Sequence, residues 1–80
     1  MKIPAIKKLV ESYTLPELIA AEAAIVEEGQ PAIEVEGEDE GEQLTHVLAA
    51  VWILNHMEDN NLDFKPALRE YTKKVRVSIS

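Results

Sequence analysis

Apolar residues recur at spacings of three and four in four separate stretches of the chain, and each stretch predicts a helix. In "IPAIKKLVESY" the positions are Ile3, Ile6, Val10 and Tyr13, with Pro4 suited to a first helical turn. "TLPELIAAEAAIVEEG" opens with Thr14 three residues ahead of Glu17, the capping-box spacing, and places Gly29 where a helix closes. Residues 44–57 read as a long third helix, and "NNLDF" ends it, with Asp63 as the N-cap of a fourth. Phe64, Leu68, Tyr71 and Val75 form the apolar stripe of that last helix.

Two segments carry period two instead. Ile33 and Val35 alternate with Glu34 and Glu36, and the chain ends in "VRVSIS". The expected fold is therefore mainly α, a compact bundle of four helices, with at most a short extended two-stranded element formed by residues 32–36 and 75–79. One domain spans residues 1–80.

The third helix is apolar on nearly every side. Leu44, Val47, Leu48, Val51, Trp52 and Leu54 make one broad face, while Ala49, Ala50, Ile53 and Met57 occupy much of the other. Such a helix has to be covered all round, either by the other three helices or by a second subunit. A chain of 80 residues buries only about 60–65% of its unfolded surface, and oligomerisation is a standard remedy for a small core. A homo-oligomer, with a dimer favoured, is the expectation, and Val47, Val51, Trp52 and Ile53 are its candidate interface.

Composition narrows the functional classes. The chain has no cysteine, which excludes disulfides, thiolate metal sites and a cysteine nucleophile, and makes the cytoplasm the natural setting. Its N-terminus has neither the apolar core nor the cleavage site of a secretory signal. The longest unbroken apolar run, residues 47–54, is eight residues, against the roughly 18 that a membrane span needs. Ser12, Ser78 and Ser80 lie in no nucleophile context, and no Gly-rich phosphate loop is present. An enzyme is not expected.

Charge is strongly segregated. The formal net charge is −7, yet residues 11–63 contain no Lys or Arg and hold fourteen of the fifteen carboxylates. The densest acidic stretch is "IEVEGEDEGE", residues 33–42, with Glu34, Glu36, Glu38, Asp39 and Glu40. All the basic residues lie near the two ends, and Lys65, Arg69, Lys73 and Arg76 form a row on the fourth helix. A row of like charges is locally unfavourable and calls for an anionic neighbour.

The favoured neighbour is internal, within one chain or across a dimer, with Glu34 and Glu36 facing Lys74 and Arg76 as cross-strand pairs. A basic surface on another protein, meeting the acidic strip, is the next reading. Overall acidity opposes direct nucleic-acid binding, although an acidic chain can also mimic a nucleic acid toward a basic partner. Glu34, Glu36, Glu38, Asp39, Glu40, Lys65, Arg69, Lys73 and Arg76 are accordingly the candidate partner-binding residues.

Metal chemistry has weaker support, and no cofactor is expected. Glu36, Glu38, Glu40 and Gly41 imitate the early positions of a calcium loop, but its closing bidentate Glu would fall on Val47. Glu42 and His46 are one helical turn apart, and Glu22 projects from the apolar arc of the second helix, where a carboxylate needs a partner. Glu22, Glu42 and His46 are the candidate metal ligands. The favoured reading, with no metal site, pairs Glu22 with Lys7, Lys8 or Arg69 and leaves His46 a hydrogen-bonded structural residue.

"EGEDEGEQLTHVLAAVWILNHME" followed by "ALREYTKKVRVSIS" resembles a family of small bacterial proteins that carries only a domain-of-unknown-function label. The likeness runs over nearly the whole chain. It implies a bacterial cytoplasmic setting and no activity, cofactor or catalytic residue.

Overall fold

The computed structural model describes residues 2–30 and 33–79, without the side chains of residues 76–79. Four helices follow one another: α1 (Ile3–Ser12), α2 (Leu15–Glu28), α3 (Glu40–Asn60) and α4 (Phe64–Ile79). Their ends follow from local chemistry. At the start of α2 the Thr14 hydroxyl accepts from the Glu17 N–H at 3.5 Å, and the Glu17 carboxylate accepts from the Thr14 N–H at 2.9 Å. This is the complete capping box, and it satisfies amides that the first turn would otherwise leave open. Gly29 closes the helix at φ 76°, a left-handed conformation that glycine, lacking a Cβ, adopts most readily.

The third helix begins earlier than its hydrophobic pattern indicates. Asp39 is its N-cap, with Oδ1 accepting from the Glu42 N–H at 2.8 Å, so Glu40, Gly41 and Glu42 form the first turn. Carboxylates at this end are favoured by the helix dipole. Asn61 ends α3 at φ 52°, and the amides of Asn61 and Leu62 both bond to the Met57 carbonyl.

Residues 75–79 are the last turns of α4, not the extended strand that their alternation predicts. Extending a formed helix adds a hydrogen bond for each residue fixed, whereas a strand here would need a paired neighbour. Residues 33–36 do not provide one: they run without ladder pairing, and no strand occurs among the described residues. The alternation in this segment still has meaning, because Val35 is buried and Ile33 half-buried while Glu34 and Glu36 are exposed. Ala32 lies outside the described residues.

α3 is the hub, packing against each of the other helices. The core is built from Ile6, Leu9 and Val10 of α1, Leu18, Ala21 and Ile25 of α2, Val47, Ala49, Ala50 and Ile53 of α3, and Ala67 of α4. Ala49 and Ala50 are completely buried, and their small side chains allow neighbouring helices to approach closely. Three short helices therefore cover α3 better than its length suggests, and of its apolar residues only Leu48 is exposed.

Candidate functional site

His46 is completely buried, and both of its ring nitrogens are engaged. Nδ1 donates to the Glu36 carbonyl at 2.7 Å, which leaves Nε2 to accept from the Lys2 backbone N–H at 3.0 Å. One imidazole thus joins the N-cap of α1, the acidic connection and α3. A ring with both nitrogens so engaged is a structural tie, as the favoured reading of His46 has it, and offers no free nitrogen for the metal-ligand alternative.

Glu42 and Glu22 do not complete a metal site either. One Glu42 oxygen is buried without a hydrogen-bond partner, but the residue lies in the first turn of α3, where the amide dipoles favour negative charge. Glu22 is half-buried on α2 and forms no ion pair with Lys7, Lys8 or Arg69. Among the described residues no three His, Asp or Glu side chains come close enough to hold an ion.

Glu34, Glu36, Glu38, Asp39 and Glu40 are all exposed, and they run as a strip along the α2–α3 connection into the first turn of α3. The chain lies tight against that turn at Gly37, where an added Cβ would come within 2.7 Å of the Gln43 side chain and 2.9 Å of its backbone nitrogen. Lys65, Arg69 and Lys73 are also exposed, on α4, while the Arg76 side chain lies outside the described residues. None of the three pairs with the acidic strip; the side-chain contact described for a carboxylate of α4 is the hydrogen bond that Glu70 accepts from His56 Nε2. With residues 75–79 helical, no strand carries the cross-strand arrangement expected for Glu34 and Glu36.

That hydrogen bond belongs to a cluster between α3 and α4 that sequence reading did not assemble. Asn60 donates to His56 Nδ1 at 3.1 Å, the His56 ring stacks on Trp52 at 4.7 Å, and Trp52 meets Tyr71 at 5.5 Å. Lys74 Nζ lies 5.5 Å from the Trp52 ring. Burial pushes the Tyr71 hydroxyl pKa above its ordinary value. The i,i+4 spacing of Trp52, His56 and Asn60 was the available signal; the α4 partners depend on how the helices dock.

The interface candidates separate into two groups. Val47 and Ile53 are fully buried in the chain's own core and present no surface to a second subunit, which corrects that expectation. Val51 and Trp52 are half-buried and line a shallow, open groove of about 330 Å³ with Leu15, Ile19, Leu48 and Asn55. Around it the apolar surface is unusually open: Ile19 is 50% exposed, Leu48 42% and Val26 68%. Ala20 and Ala23 of α2 are exposed as well. Uncovered apolar surface thus lies on α2 as well as on α3.

Fold and surface together define, among the described residues, a small all-α domain with four helices, a start of α1 tied to α3 through His46, and an apolar face on α2 and α3. The chain belongs to a family of unknown function, DUF6952, whose family model matches residues 1–80. No curated protein and no solved structure gave a significant match. No helix of the described residues is long and apolar enough to cross a membrane.

Proposed function

We propose that the protein is a non-enzymatic assembly module of the bacterial cytoplasm. It acts as a homo-oligomer, a dimer in the first instance, and holds its acidic connection toward a basic protein partner. The observation that carries this reading is the apolar surface left open on so small a chain, Ile19, Val26 and Leu48 beside half-buried Val51 and Trp52. Contiguous apolar surface rimmed by polar residues marks an interaction site more often than chance exposure does. The exposed row from Glu34 to Glu40, without ion pairs to Lys65, Arg69 or Lys73, supports the second half of the proposal.

The solution mass tests the assembly. Sedimentation velocity should give twice the 8.9 kDa chain mass, and a strictly monomeric chain at high concentration would defeat the reading. Binding of a basic partner should weaken steeply with added salt, as contacts between exposed charges do.

A further inference from the structure

We infer that the groove between α2 and α3 receives an amphipathic helix of a partner protein, with its apolar face in the groove and lysine or arginine on its flanks. This rests on the basic partner of the proposed function and gives that partner a form and a seat. Two stripes of equal spacing build the groove. On α2, Leu15, Ile19, Glu22 and Val26 recur at intervals of four, three and four, and on α3 Leu48, Trp52, Asn55 and Asp59 do the same, so each set shares one side of its helix.

Leu15, Ile19, Leu48, Val51, Trp52 and Asn55 line the groove. Glu22 and Asp59 each come one turn beyond that lining. The two helices are antiparallel, since Gly29 at the end of α2 lies beside Glu40 at the start of α3, whereas Leu15 and Ile19 lie beside residues 48–55. Glu22 and Asp59 therefore stand at opposite ends of the groove.

The lining selects a helix. It is apolar except for the Asn55 amide and offers no row of donors and acceptors, so an extended peptide seated there would leave its backbone groups unpaired. A helix satisfies its own. From Leu48 to Asn55 the groove runs about 10 Å along α3, which seats two turns of a docked helix anchored by apolar residues at i, i+4 and i+7.

Charge selects a basic one. α2 and α3 carry four carboxylates each and not one Lys or Arg, so the apolar groove is flanked by two acidic helices. Glu22 sharpens the choice: it is half-buried and forms no ion pair among the described residues, and a cation on the docked helix supplies the partner it lacks. Lys74 approaches the Trp52 ring from α4, and no α4 residue lines the groove. Anionic lipid headgroups would meet the same carboxylates, which argues against a membrane surface. A second copy that docks by this face brings its own acidic helices with it, so the basic helix is the better occupant and displaces that copy.

Trp52 is the chain's one tryptophan and lies in the groove, so its emission reports occupancy. The probe is a tryptophan-free amphipathic helical peptide of leucine and lysine, titrated onto the full chain at low salt beside a leucine and glutamate peptide of the same pattern. The lysine peptide should shift Trp52 emission to the blue and saturate at one peptide per chain, and the glutamate peptide should do neither. Leu48→Lys should abolish the shift with far-UV circular dichroism retained, Glu22→Gln and Asp59→Asn should each weaken binding severalfold, and Lys65→Glu, outside the groove lining, should not weaken it. No shift of Trp52, or equal binding of the two peptides, overturns the inference. Binding lost in Glu34→Lys/Glu38→Lys but retained in Leu48→Lys also overturns it, because the partner then docks on the acidic connection and the proposed function stands. Sedimentation of the unliganded chain decides self-association separately: a monomer that takes the lysine peptide refutes the dimer and supports the occupant inferred for the groove.

Discussion

Lys2 and His46 are 44 positions apart, yet the backbone N–H of one donates to the side chain of the other at 3.0 Å. The second ring nitrogen holds the Glu36 carbonyl, so a single buried side chain fixes both the start of α1 and the acidic connection against α3. His46→Leu fills similar space but leaves an amide and a carbonyl without partners. An unsatisfied buried group costs about 1–3 kcal/mol; because these two bonds are part-buried, a loss of about 1–3 kcal/mol in all is expected in urea unfolding. His46→Gln, which can both donate and accept, should lose less. Equal losses would mean that packing, not hydrogen bonding, is what His46 contributes.

Acid should weaken α2 through Glu17. The Thr14 backbone N–H, and then its hydroxyl, hold the Glu17 carboxyl below its ordinary pKa of 4.5. A depressed pKa means that the unfolded chain takes up the proton first. The contribution is therefore present above pH 4.5 and is lost as pH falls through the lower folded value. Glu17→Gln should flatten the dependence of stability on pH in that acid window, and an unchanged slope would show that the capping box does not persist in solution.

The core at Ile53 should be sensitive to truncation. Its side chain is completely buried at the centre of the hub helix, and removing three carbons leaves a cavity as well as a lost transfer free energy. Ile53→Ala should cost about 2–5 kcal/mol, read from the urea midpoint at constant slope. Because Ile53 lies in the chain's own core, the loss should appear in dimer and monomer alike.

Gly37 makes a different kind of demand. Its φ of 157° is one that side chains rarely adopt, and a Cβ there would meet the Gln43 backbone nitrogen at 2.9 Å. Backbone cannot swing aside as a flexible side chain would. Gly37→Ala should therefore displace the acidic connection from the first turn of α3. Amide exchange of residues 33–39 should accelerate, and protection equal to wild type would sink the claim. Gly29→Ala is milder: its Cβ would meet only the mobile Glu40 side chain at 3.4 Å, leaving a left-handed backbone penalty of about 1 kcal/mol.

Whatever depends on nearby residues could be read from the sequence. Helix periodicity located all four helices, and the Thr14–Glu17 spacing and Gly29 located the ends of α2, because these interactions join residues at most four apart. The segregation of charge was equally legible. Where the reading failed, a distant partner decided. The alternation in "VRVSIS" was a real pattern, but helix propagation from α4 outweighed it when no strand was available to pair. For His46 the hydrogen-bonded reading agrees with the structure, but no local spacing indicates that its partners are Lys2 and Glu36.

The same division applies to the apolar surface. Hydrophobic patterning showed that this chain has more of it than a short bundle can easily hide, and pointed to α3. Only the packing showed that α1, α2 and α4 cover most of α3 between them, and that the uncovered part is a ridge on α2 together with the groove floored by Leu48, Val51, Trp52 and Asn55 of α3. Local spacing specifies which residues share a helix face. Which faces meet depends on contacts between residues far apart in the chain, and these no local pattern encodes.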